Sequence, residues 1–168
     1  MATSEKFKRI FSISKMNGWS IAIFAGLITL FSLLSGSVSG ILIGILVTSC
    51  GVLELMGRSK LLESDERSAF ILPGSQLLLL ITIWVYSAYQ LLSISPESVK
   101  AAVSEDILLQ LVTLTGSELA VFELVSQALQ ITYVTVIVIT AIYQGGLAIY
   151  YWKGSRYLLE KNSDHLAG

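Results

Sequence analysis

The chain has 168 residues, 54% of them hydrophobic and 14% charged, with a formal net charge of −1 and a mean hydropathy of +0.72. A soluble domain carries about 25% charged residues, so this chain has too little polar side chain to coat one water-soluble body, and a bilayer is the solvent that suits it. Near-neutral charge without a basic tract argues against nucleic acid as a partner, and one cysteine, Cys50, leaves no internal disulfide.

The first 17 residues are polar and basic, with no short apolar run before a small-residue cleavage site. They read as a flank rather than a removable leader, with the first span itself directing insertion. A spanning helix needs about 20 mostly apolar residues, because the hydrocarbon core is about 30 Å thick. Four segments meet that length: 18–34, 38–56, 69–92 and 128–152. The first two are separated only by Ser35–Ser37, which predicts a tight antiparallel hairpin.

Between the third and fourth spans the connection is too long to be structureless. Ser95-Pro96-Glu97 carries the marks of a helix start: a capping serine, proline at the first position and an acid in the first turn. Val99, Val103, Ile107, Leu111 and Leu114 then recur at helical spacing, predicting an amphipathic helix over 96–114 that lies on the bundle or in the interface. Gly116 ends it. Thr115 with Glu118 resembles a capping box opening the segment that bends into the fourth span.

Ten of the eleven basic residues lie on one side of these spans: Lys6, Lys8, Arg9 and Lys15 before the first, Arg58, Lys60 and Arg67 between the second and third, and Lys153, Arg156 and Lys161 after the fourth. Only Lys100 falls on the other side. The positive-inside rule assigns both termini to the cytoplasm, and Trp19, Trp84, Trp152 and the Tyr150-Tyr151 pair fit an interfacial belt. The expected architecture is an all-α, integral membrane bundle of four transmembrane helices. An extra amphipathic helix occupies the external loop between the third and fourth, and the whole forms one domain over 1–168.

Helices in lipid associate through close packing and interhelical hydrogen bonds. Gly36, Gly40 and Gly44, extended by Thr48, recur every four residues along the second span. They predict close approach of the first span through Gly18, Ala22, Ala25 or Gly26. On the fourth span Gln130, Tyr133, Thr140 and Gln144 fall within one sector and predict a polar seam. That seam either bonds across helices or lines a wet path, with Gln144 bonded to a neighbour. Gly145-Gly146 marks close backbone contact or a bend, and Pro73 is a tolerated proline near a helix start.

Glu54 is the one acid inside a span, and Arg58, four residues on, can pair with it along one helix face near the cytoplasmic surface. The single histidine, His165, lies in the polar tail, so with Cys50 it cannot build a zinc site, and a serine protease in the membrane would lack its base. No His-Glu-x-x-His, phosphate-binding glycine loop or core carboxylate pair occurs, so neither a catalytic centre nor a cofactor is expected. The reading is a small non-catalytic membrane protein of the cell's inner membrane, whose surroundings are the lipid bilayer. It forms a homo-oligomer, closed or enclosing a pore. The alternatives are an accessory or scaffold subunit of a larger membrane complex, and a bundle that binds lipid or a small molecule.

Overall fold

The computed structural model describes the backbone of residues 2–167 and the side chains of residues 5, 8–99 and 103–159. Lys6, Lys100, Lys161 and His165 therefore lie outside the described side chains. Every element among the described residues is helical: α1 (Ala2–Leu34), α2 (Val38–Leu62), α3 (Ser68–Leu92), α4 (Pro96–Ala102), α5 (Glu105–Thr115) and α6 (Glu118–Ala167). Four stretches are long and apolar enough to cross a membrane: Lys8–Leu34, Val38–Leu62, Ser68–Leu92 and Glu118–Leu159. This is the make-up of a multi-pass membrane protein.

The turns follow from local chemistry. Gly36 closes α1 in the left-handed region at φ +69, which costs glycine nothing, while Ser37 N–H bonds back to Ser32 O at 2.9 Å. The Ser37 hydroxyl then caps α2 by accepting from Gly40 N–H at 3.3 Å. Gly36 thus belongs to the turn and not to the row of glycines on α2. Between α2 and α3, the Asp65 carboxylate accepts from Arg67 N–H at 2.9 Å and lies 3.6 Å from Lys60 Nζ, which also pairs with Glu63 at 2.8 Å. The backbone hydrogen bond first, and then the nearby Arg67 and Lys60, hold Asp65 below its ordinary pKa.

Four of the expected helices depart from their bounds, α2 by running on to Leu62 where 56 was expected. α1 begins at Ala2 rather than Gly18, because nothing between breaks a helix and the added turns bury Ile10, Ser14 and Asn17. The expected helix over 96–114 is two: Val103 is extended (φ −106, ψ 128), and Ser104-Glu105-Asp106 restarts the chain with an acid-rich first turn. α5 then ends at Gly116, which is left-handed at φ 87. Its successor is capped by Ser117, whose hydroxyl accepts from Ala120 N–H at 3.2 Å, and not by Thr115, the last residue of α5. α6 is assigned as one helix of 50 residues that opens at Glu118, ten residues before the expected start of the fourth span at 128, and it contains no proline to interrupt its hydrogen bonds.

The chain divides into two compact units, Met1–Thr82 with Thr140–Gly168, and Ile83–Ile139. The core of the first comprises Ile10, Leu61, Leu72, Tyr151 and Leu158, with Phe11, Ile13, Leu147 and Tyr150 packed against it. In the second, Val99 and Val121 are buried, and Trp84 Nε1 donates to Ile137 O at 3.1 Å.

Close approach of α1 and α2 depends on glycine. A Cβ on Gly51 would lie 2.8 Å from Ala22 N and 2.9 Å from Gly18 O, and one on Gly44 would meet Thr29, whose Cα is 3.0 Å away. One on Gly40 would collide with the Ser32 side chain. Gly26, by contrast, has nothing within 4 Å of such an atom.

Candidate functional site

The inward faces of four helices carry polar groups to one place in the first unit. On α1 the buried positions Ile10, Ser14 and Asn17 recur every three or four residues. α2 supplies Cys50, Glu54 and Leu61, α3 supplies Leu72, Ser75, Gln76 and Leu79, and α6 supplies Gln144, Ala148, Tyr151, Ser155 and Leu158. Glu54 and Tyr151 are both 0% exposed.

Their polar atoms form a connected network. The Tyr151 hydroxyl donates to Glu54 Oε1 at 2.5 Å, and Asn17 Nδ2 donates to Glu54 Oε2 at 2.7 Å. The Asn17 amide also reaches Gln76 Oε1 at 3.5 Å, while its Oδ1 accepts from the Tyr143 hydroxyl at 3.4 Å. Gln76 Nε2 lies 3.5 Å from Ser75 Oγ, which itself donates to Leu72 O at 2.8 Å. α1, α2, α3 and α6 therefore all meet around one carboxylate. A buried carboxyl group is tolerable only where its oxygens are hydrogen-bonded, and here each has a short neutral partner.

Arg58 takes a different partner from the one its spacing suggests. Its guanidinium sits 4.2 Å from the Phe11 ring centroid, and Nε donates to Phe11 O at 3.4 Å. No ion pair joins it to Glu54. Residues four apart share one helix face, so what separates the two is not their spacing but the partner each finds on another helix. Glu54 turns inward to Tyr151 and Asn17, whereas Arg58 is half-buried against α1.

Of the other residues singled out in the sequence, Gly40 and Gly44 face α1, and Thr48 turns its hydroxyl onto Gly44 O of its own helix at 2.7 Å. The four polar residues of α6 do not share one environment. Gln130 is exposed, Tyr133 and Thr140 are half-buried and Gln144 is buried. Gln130 and Tyr133 belong to one compact unit, Thr140 and Gln144 to the other. Gln144 Oε1 has no hydrogen-bond partner, so the expected bond from Gln144 to a neighbouring helix is not made at that atom.

Sequence reasoning missed Asn17 and Gln76 and read Tyr151 as part of an aromatic belt. The available signal was the helical recurrence of Ile10, Ser14 and Asn17, continuing into Ile21 and Ala25 without a breaker. Chemically the arrangement is an acceptor clamp. The carboxylate has used its short contacts on Tyr151 and Asn17, Cys50 is free and buried, and no group of three or more His, Cys, Asp or Glu among the described residues could hold a metal. No protein-family model, curated protein or solved structure matches the chain.

Proposed function

We propose that this chain is a non-catalytic, multi-pass protein of the inner membrane, with both termini cytoplasmic, that works as a homo-oligomer. Within one copy the Glu54 cluster is a packing node rather than a reaction centre: it ties the four membrane-length helices through neutral donors.

One observation carries the oligomeric reading. Gly26, Gly74, Gly145 and Gly146 lie on membrane-length helices, yet an added Cβ at any of them would meet nothing within 4 Å, and Gly74 and Gly146 are exposed. Glycine inside a helix costs about 1 kcal/mol relative to alanine. At Gly44 and Gly51 a close neighbouring helix offsets that cost. At Gly74 and Gly146 this chain supplies no such neighbour, and small residues on a lipid-facing surface are where another helix approaches.

The test is the mass of the protein in mild detergent and in nanodiscs. The native chain should run as a multiple of 18.3 kDa. Gly146→Leu or Gly74→Leu should lower that mass while leaving helix content unchanged. A native chain that stays at one copy in both media refutes the reading. An accessory-subunit role is favoured instead by α5, which buries none of its residues and exposes Ile107, Leu109 and Leu114. Co-purification of a second, different membrane protein in stoichiometric amount would support it. Ion flux into liposomes reconstituted with the purified protein would distinguish a pore from a closed assembly.

A further inference from the structure

A groove of about 280 Å³ opens between α1 and α6, lined by Arg9, Ile10, Tyr150, Lys153, Tyr157 and Leu158. The two helices come close at its floor because Gly154 has no side chain: a Cβ there would collide with Ile10 Cδ1. Ile10 and Leu158 are buried, making the floor apolar, while Arg9 and Lys153 stand exposed, one on each helix. Neither cation is in an ion pair among the described residues, where the pairs recorded are those of Lys60 with Glu63 and Asp65.

Further cations flank the groove in sequence. Lys8 is exposed beside Arg9, and Arg156, three residues from Lys153, packs its guanidinium 5.1 Å from the Trp152 ring centroid. The described acid closest in sequence is Glu5, exposed one turn before Arg9; the Glu160 side chain lies outside the described residues. Arg9 lies at the start of one membrane-length stretch and Lys153 and Tyr157 near the end of another. On the membrane reading, the ends of such stretches lie among the headgroups of the adjoining leaflet, where tyrosine is at home.

We infer that this groove seats an anionic phospholipid, its phosphate between Arg9 and Lys153 and the start of its acyl chains along Ile10 and Leu158. Paired cations over an apolar floor match a molecule with an anionic head and an apolar body. A free anion would make no use of that floor. The inference rests on the membrane reading of the chain and is independent of its oligomeric state.

Native mass spectrometry of the full chain, released from bilayers of phosphatidylcholine and phosphatidylglycerol, tests it. One phosphatidylglycerol per chain should be retained in preference to phosphatidylcholine. Each basic residue near an anionic surface is worth roughly fivefold in partition, so Arg9→Gln with Lys153→Gln should weaken retention by about tenfold or more. Lys15→Gln with Arg67→Gln, which removes the same charge elsewhere, should not, and Arg9→Lys with Lys153→Arg should keep the lipid. Circular dichroism of each variant confirms that the helices remain. Equal retention of the two lipids, equal loss in the control variant, or displacement of the lipid by millimolar inorganic phosphate would each overturn the assignment, the last by showing a site for free anions.

Discussion

Glu54→Leu is the most informative single change. The substitution keeps an apolar side chain of similar size on α2 but removes the acceptor of two short hydrogen bonds, from Tyr151 at 2.5 Å and Asn17 at 2.7 Å. Both donors are at least nine-tenths buried, so water cannot replace the carboxylate. Leaving a buried donor unsatisfied costs about 1–3 kcal/mol, which sets the loss at roughly 2–6 kcal/mol. Interhelical hydrogen bonds measured in membranes average nearer 0.6 kcal/mol, so the lower end of that range is the working figure, about 2 kcal/mol. Glu54→Gln should cost less, about 1 kcal/mol, because its amide oxygen still accepts from Tyr151 and Asn17 can turn its own oxygen toward the new NH₂. Tyr151→Phe removes one bond and should fall between native and Glu54→Leu. A double-mutant cycle with Glu54→Leu should then show the two changes to be non-additive, since they delete the same contact. The assay is thermal unfolding in mild detergent, followed by circular dichroism. If Glu54→Leu melts at the native temperature, the cluster is not what holds the four helices and the packing-node account is wrong.

Gly44→Leu must push α1 away at Thr29 and should cost about 1–3 kcal/mol or more of overpacking, read as a lower melting temperature; an unchanged one would show that the helices can part freely there. Gln144→Leu should be neutral or stabilising by up to about 1 kcal/mol, because it removes a buried carbonyl oxygen that has no partner. The lowered pKa of Asp65 fixes the sign of a pH effect: its contribution is present at neutral pH and lost as pH falls through its own depressed value. Asp65→Asn should therefore melt lower than the native protein at pH 7 and converge with it as acid protonates the native carboxyl. A topology reporter fused after Gly168 or inserted near Ser64 should read as cytoplasmic and one near Ser104 as external; an external C-terminus would overturn the charge argument.

Hydropathy made the four long helices readable because their signal is local. A run such as residues 38–56 is apolar whatever lies beside it, and the turn at Gly36-Ser37 follows from residues within four of each other. Capping was readable on the same ground at Ser95 and Gly116. It was misread at Thr115, where a serine two residues on competed for the same role. The length of α1 was missed because a hydropathy window treats Lys6 to Asn17 as a polar flank. Only a packed helix face shows that Ile10, Ser14 and Asn17 share an inward stripe.

The partner of Glu54 was out of reach of such reasoning for a deeper reason. Spacing along α2 offered Arg58, four residues away, and on an isolated helix that pair would be favourable. In the folded chain the choice is made across helices, by Asn17 at a separation of 37 residues and Tyr151 at 97. Two neutral donors satisfy the carboxylate inside the bundle without burying a guanidinium, whose desolvation in a low-dielectric setting costs several kcal/mol. Arg58 keeps its charge at the half-exposed edge, over Phe11. An ion pair read along a single spanning helix is therefore a statement about that helix alone. Once neighbouring helices pack on it, their neutral donors can take the acid inward and leave the cation at the edge.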